Sequence, residues 1–216
     1  MINKIIILLF ISAPLLSAQN LPPPEYSYSD SLEIEINVEP TIKECPASKI
    51  LLGTFPIYFE ETTLQQIMDT LKVGQITQQG DAAADIYWLC YTDPNPSSPQ
   101  RLWIISNAEM AGAQHRVTEV VIQSINKKLI SIQGNPMLPR SFRFAALDKG
   151  VHIGITKKKL INILGQPSGS RKEWLRYCYE GKLRNETRES RDGSSLFVKV
   201  IDGKIAALYA WRSTIK

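Results

Sequence analysis

Residues 150–170 read GVHIGITKKKLINILGQPSGS and residues 195–214 read SLFVKVIDGKIAALYAWRST. In the first, Thr156 stands where a helix N-cap is wanted. Leu160, Ile163 and Leu164 recur at helical spacing, and Gly165-Gln166-Pro167 stops the turn. Runs at strand period follow, through WLRYCYEGKL to the last two, which Asp202-Gly203 joins with the residues of a tight hairpin. The reading is one helix followed by a small antiparallel sheet.

The same grammar occurs earlier. Thr63-Leu64-Gln65-Gln66 has the form of a capping box, with Gln66 placed to return a bond to the Thr63 amide. Leu64, Ile67, Met68 and Leu71 then form one apolar stripe, which predicts a helix over 63–72. Strands are expected at 86–91, 101–106 and 117–122, and the proline-rich TDPNPSSPQ between the first two is a loop. Thr63, Ile67 and Leu71 lie 93 positions before Thr156, Leu160 and Leu164. Cys90-Tyr91 lies 88 before Cys178-Tyr179, and Val117 lies 88 before Ile205. The spacing predicts an α+β protein of two tandem helix-plus-antiparallel-sheet units in two layers, over 50–135 and 136–216. Pro136 and Pro139 mark the joint.

The chain opens MINKIIILLFISAPLLSAQN. Lys4, an apolar run to Leu16 and the small residues Ser17-Ala18 read as a secretory signal over 1–18. The run is about a dozen residues, short of the ~20 that a spanning helix needs. A periplasmic or secreted protein, soluble after cleavage and without a transmembrane segment, is therefore expected. Residues 19–49 form a lead-in: LPPPEYSYSD reads as a mobile stretch, and Leu32 to Glu39 alternates as a half-exposed strand.

Net charge is +4 for the whole chain, but the halves oppose one another. From Gln19 to Pro139 there are 7 Lys and Arg against 14 Asp and Glu; from Arg140 to Lys216 there are 17 against 7. Lys157, Lys158 and Lys159 open the second helix, where positive charge opposes the macrodipole. With Arg171, Lys172 and Arg176 they make a candidate anion-facing surface, for lipid headgroups, an acidic polymer or an acidic protein. A nucleic-acid partner is not expected of an exported chain without a stacking module.

The pattern GxT-x-x-x-L-x-x-x-LG-x-P, then an aromatic strand, then D-G-K-I, resembles the unit of the SmpA/OmlA-type envelope proteins. The secreted beta-lactamase inhibitor proteins carry that unit in tandem. Here it is written Gly154-Ile155-Thr156, Leu160, Leu164-Gly165, Pro167, then Trp174, Tyr177 and Tyr179, then Asp202-Gly203-Lys204-Ile205. The match covers about 60 residues of the second unit. The first departs from it, with Glu61 in place of the glycine and Lys72-Val73 in place of Gly165-Gln166. The resemblance implies helices on one face of an antiparallel sheet, two units sharing a continuous sheet, and non-enzymatic work. That work would be support of an envelope assembly, or the clamping of a partner as by an inhibitor of an envelope enzyme. The chain has no lipobox cysteine, which favours a free exported protein over a lipid-anchored one.

His115 and His152, the only histidines, have no metal-ligand spacing with the three cysteines, so neither metal nor cofactor is expected. Export permits a disulfide. Cys90 with Cys178, across a pseudo-twofold axis, competes with pairings of Cys45 and with free thiols. A cysteine-dependent enzyme is the rival from another class and needs a thiol with a lowered pKa. Strand alternation sets Tyr87 and Tyr91 opposite Trp88 and Cys90, and Tyr177 and Tyr179 opposite Cys178. Helices cover one face only, so aromatic side chains are expected on the other. Tyr87, Tyr91, Trp103, Tyr177, Tyr179 and Trp211 are the candidate partner-binding residues for an envelope protein.

Overall fold

Among the described residues there are two α-helices, and a threonine caps the N-terminus of each. The computed structural model describes residues 21–24, 42–80, 85–95, 97–107, 114–130, 135–182 and 191–215. Helix α1 spans Leu64–Leu71 and α2 spans Lys157–Leu164. The α1 capping box is complete: the Gln66 amide donates to Thr63 Oγ1 at 3.2 Å, and the Thr63 amide donates to Gln66 Oε1 at 2.9 Å. At α2 the Lys159 amide donates to Thr156 Oγ1, and Gly165 closes the helix at φ +85°.

The strands in chain order are β1 (Lys49–Leu52), β2 (Phe55–Tyr58), β3 (Thr77–Gln79), β4 (Ile86–Asp93), β5 (Gln100–Asn107), β6 (Glu119–Ser124), β7 (Ala145–Leu147), β8 (Gly169–Arg171), β9 (Trp174–Lys182), β10 (Arg191–Ile201) and β11 (Lys204–Ile215). Asp202 and Gly203 take φ of +50° and +72°, the double left-handed turn that lets β10 fold directly back onto β11. Eight strands make one antiparallel sheet in the order β3-β4-β5-β6-β11-β10-β9-β8. Each half of the chain thus supplies a helix and then four strands. The halves join edge to edge through their last strands, from Ala207 opposite Gln123 to Trp211 opposite Glu119.

The sequence offsets survive as geometry. The Lys157 amide donates to Gly203 O at 2.9 Å, and 93 and 88 residues earlier the Leu64 amide donates to His115 O at 3.0 Å. Ile205 N to Ile155 O and Val117 N to Thr62 O are likewise equivalent, both at 2.9 Å. His115 takes φ +49° where its counterpart is Gly203.

The helices and a three-stranded sheet, β2-β1-β7, form the second layer. This small sheet draws β1 and β2 from before α1 and β7 from before α2, so it ties the halves together again. Leu64, Ile67, Leu71 and Leu160 pack with Ile50, Leu52, Ile57 and Leu147, and against Leu89, Leu102, Ile104, Val120, Ile122, Leu196, Val198 and Leu208 of the large sheet. Burial of each such side chain stabilises by about 1.5–3 kcal/mol. Among the described residues no helix is long and apolar enough to cross a membrane.

Gly53, at φ +60°, turns β1 back onto β2. The segment after Gln123 completes β6 and continues as a single 3-10 turn over Lys127–Leu129. Residues 21–24 do not trail as a mobile lead-in but rest on the large sheet, held by bonds described below. The signal at 1–18 and the strand at 32–39 lie outside the described residues.

Candidate functional site

The face of the large sheet turned away from α1 and α2, helix-free among the described residues, is built from every second residue of each strand. Register sets Cys90, Trp103, Val121, Tyr209, Phe197 and Arg176 in one row across it. Trp88, Ile105, Glu119, Trp211, Ser195 and Cys178 form the next row, and Thr92, Arg101, Gln123, Ala207, Lys199 and Trp174 a third. Trp88, Cys90, Trp103, Ile105, Val121, Trp174, Phe197, Ala207 and Tyr209 form an apolar cluster separate from the helix-side core.

This geometry divides the candidate partner-binding residues. Trp103 and Trp211 stand on the helix-free face. The four tyrosines do not, since alternation turns Tyr87, Tyr91, Tyr177 and Tyr179 towards the helices. Tyr91 and Tyr177 are 0% exposed, so they are core residues and cannot touch a partner. The candidates did not include Trp88, Trp174, Phe197 and Tyr209, which register also places on this face. A signal for them was present in the intervening positions. Leu89, Leu102, Ile104, Val120, Ile122, Leu196, Val198 and Leu208 are aliphatic, and the face that carries them, together with the enclosed Tyr91 and Tyr177, is the one that helices cover.

Over the first half, the face is occupied. The Trp88 and Trp103 indole nitrogens both donate to Leu21 O, at 2.9 and 3.0 Å, and the Leu21 amide donates to Asn135 Oδ1 at 3.1 Å. Leu21 packs into the apolar cluster, Pro23 is buried, and the two tryptophans are left 3% and 4% exposed. Over the second half the face is more open: Arg176, Cys178, Lys199 and Trp211 are half-buried and Glu180 is exposed. Arg176 lies over the Phe197 ring at 5.3 Å, Lys199 over Trp174 at 5.8 Å, and Phe197 stacks on Tyr209 at 5.7 Å. Cation-bearing aromatic surface of this kind suits an acidic or carbonyl-rich partner.

Buried polar groups punctuate the same face. Glu119 Oε2 accepts from the Tyr209 hydroxyl at 3.1 Å. Burial raises its pKa, against the lowering effect of hydrogen bonds from Tyr209 and Asn107. Burial lowers the Arg101 guanidinium, with Cys90 opposing. Burial pushes the Cys90 thiol up to about 12, although Arg101 and the Leu21 backbone pull the other way. A thiol so placed stays protonated at neutral pH and is a poor nucleophile.

The proposed Cys90–Cys178 disulfide does not form. The two occupy equivalent strands, β4 and β9, but the halves meet through β6 and β11, so five inter-strand steps separate the cysteines. At about 4.8 Å a step that far exceeds the span of a disulfide. All three cysteines are free; Cys45 donates to Ala47 O, and Cys178 Sγ shares a hydrogen bond with Ser195 Oγ at 3.2 Å.

The basic residues do gather. The α2 start docks on the 202–203 turn, and Val200 N donates to Glu173 O in the 172–173 turn. Lys157, Lys158, Lys159, Arg171 and Lys172 therefore share one end of the second half, all exposed. Arg176 is set apart from them, on the sheet face. His152 bonds locally through Nδ1 to Ile153 O and lies tilted against the Phe144 ring, while His115 lies tilted against Tyr87. Among the described residues no group of three or more His, Cys, Asp or Glu could hold a metal ion. A cleft of about 350 Å³ lies between Ile42–Glu44 and the α2 C-terminus, where Lys149 pairs with Glu44 at 2.9 Å. That pair is exposed and screened by solvent.

No family model, curated protein or solved structure matches this chain.

Proposed function

We propose that the chain is an exported, non-enzymatic protein-binding protein of the envelope, in line with its resemblance to SmpA/OmlA-type units. It works by contact through the helix-free face of its eight-stranded sheet. The observation that carries this reading is the stretch of that face bearing Trp211, Arg176, Lys199 and the rim of Trp174. Large amphipathic rings with flanking cations are the side chains from which binding hot spots are made. The basic end at Lys157–Lys159, Arg171 and Lys172 would steer an acidic partner onto it, an effect that weakens with salt. The high pKa of the Cys90 thiol argues against the cysteine-enzyme alternative at that residue.

The test is comparative capture from envelope extract. The wild-type chain is set against Trp211→Ala and against Arg176→Glu, with circular dichroism confirming that both variants fold. A partner retained by the wild type should be lost, by tenfold or more in yield, from both variants. Equal retention by all three would remove this face from the interaction. If Lys157, Lys158 and Lys159 are replaced together by Ser, capture should slow at low salt and be little changed at high salt.

A further inference from the structure

The geometry points to the Trp88–Trp103 groove as a recognition site for an extended proline-rich peptide, which the chain's own Leu21-Pro22-Pro23-Pro24 occupies in cis. This deepens the protein-contact reading above and rests on it, because it names the kind of segment a partner would present.

Three features make the groove a built site. Two indole N–H groups, both nearly fully buried, converge on a single backbone carbonyl. The carbonyl is that of the residue preceding a proline, a tertiary amide with no competing N–H on its far side. Proline also holds the preceding residue extended, so the carbonyl projects without further ordering cost. Second, the remaining contacts suit a polyproline segment. Pro22 to Pro24 have no amide hydrogens to add to a sheet edge, so the segment lies on the face rather than along an edge. It is held by the Leu21 side chain in the apolar cluster, by buried Pro23, and by the Leu21 amide on Asn135. Indole donors over a preformed left-handed helix are a general solution for proline-rich ligands. Third, the groove is furnished from three separate places in the chain: Trp88 on β4, Trp103 on β5, and Asn135 in the segment between the halves. The ligand this arrangement reads is an apolar residue followed by two or more prolines.

Occupation in cis makes the site self-competing. A tethered segment acts at an effective concentration of the order of millimolar, so a free peptide must displace it. The experiment uses the full chain, as wild type and as a variant with Leu21→Gly, Pro22→Ser, Pro23→Gly and Pro24→Ser. Each is titrated with an acetylated peptide of residues 19–26, QNLPPPEY, and read by tryptophan fluorescence and calorimetry. The variant should bind the peptide at least tenfold more tightly than the wild type, and adding Trp103→Phe to the variant should abolish that binding. If the fourfold variant does not fold, Leu21→Gly alone, which removes the tethered side chain from the apolar cluster and leaves the groove residues intact, makes the same comparison.

No binding by the opened chain, equal binding by opened and wild-type chains, or equal binding of a peptide with its prolines replaced by alanine would each overturn the proposal. A wild-type dimer that the fourfold variant loses would also overturn it, since the groove would then serve exchange between copies. The protein-contact reading fails separately, when partner capture is indifferent to Trp211 and Arg176 while the peptide still binds.

Discussion

Tyr91 and Tyr177 show how differently two buried phenols can be accommodated in one core. Both rings are fully enclosed on the helix side of the large sheet. The Tyr91 hydroxyl donates to Val73 O at 3.1 Å, in a turn where Gly74 takes φ +107° and leaves the room that a Cβ would fill. The Tyr177 hydroxyl is buried with no hydrogen-bond partner among the described residues, and burial pushes its pKa up to about 12. An unmade buried hydrogen bond carries the desolvation cost of the group, whereas a made one offsets it. The same substitution should therefore have opposite signs at the two sites. Tyr91→Phe is expected to lower the unfolding free energy by about 1 kcal/mol, and Tyr177→Phe to leave it unchanged or raise it by up to about 1 kcal/mol. Urea midpoints at constant slope measure both; a loss of stability in Tyr177→Phe equal to that in Tyr91→Phe would mean the Tyr177 hydroxyl is bonded after all.

At the scale of elements, the helices are short and owe their positions to their ends. Each has eight residues, too few to persist alone, so capping and packing decide whether they form. In α1 the cap is reciprocal, two bonds through Thr63 and Gln66; in α2 it is single, through Thr156. Thr63→Ala and Thr156→Ala each remove one hydroxyl acceptor and should each cost about 0.5–2 kcal/mol. Gln66→Ala, which removes the return bond, should add a loss that has no counterpart in α2; thermal or urea unfolding will check both. These caps, the 202–203 hairpin and the two offsets were legible in the sequence because they depend on residues close together in the chain. The short strands β3, β7 and β8 were not. Three residues give no alternation to read, and each exists because a longer neighbour offers an edge: β7 on β1, β3 on β4, β8 on β9. The layer assignment of the tyrosines failed for a related reason. Alternation separates two faces without saying which faces the helices, and aromatic content was the wrong arbiter. The aliphatic pairs mark the side that packs on the helices, as Val120 with Ile122 and Leu196 with Val198 do. The seat of Leu21 on Trp88 and Trp103 carried no local signal at all, being a contact across 67 and 82 residues.

The molecule as a whole depends on the seam where β6 meets β11, because there alone do the two halves of the large sheet exchange ladder bonds. Beyond the ladder the C-terminal strand reaches back over the first half. Thr214 donates from its amide and its hydroxyl to the Glu60 carboxylate at 2.6 and 2.7 Å, and Arg212, paired in two bonds with Asp192, donates its amide to Thr118 O. Within the seam Glu119 is the one carboxylate of the rows described, bonded by Tyr209 and enclosed by its neighbours. Arg101 is on the same face but opposite Gln123, removed from Glu119 along the strand, and it does not lower the Glu119 pKa as a partner would. Burial holds the folded pKa above the ordinary value of 4.5, so the native state prefers the neutral acid. The stabilisation from that preference is complete below the unfolded pKa and is lost as pH rises through the raised folded value. At neutral pH the native state either carries a buried charge or holds a proton that the unfolded chain has released. Glu119→Gln is neutral at every pH and keeps an acceptor for Tyr209. Its stability relative to wild type should therefore be greatest near pH 7 and should decline as the pH falls to 4, other carboxylates titrating alike in both chains. Urea unfolding of the pair at several pH values reads this difference directly. A gap that stays constant, or one that widens on acidification, would mean that Glu119 is ionised and favourably solvated in the folded seam.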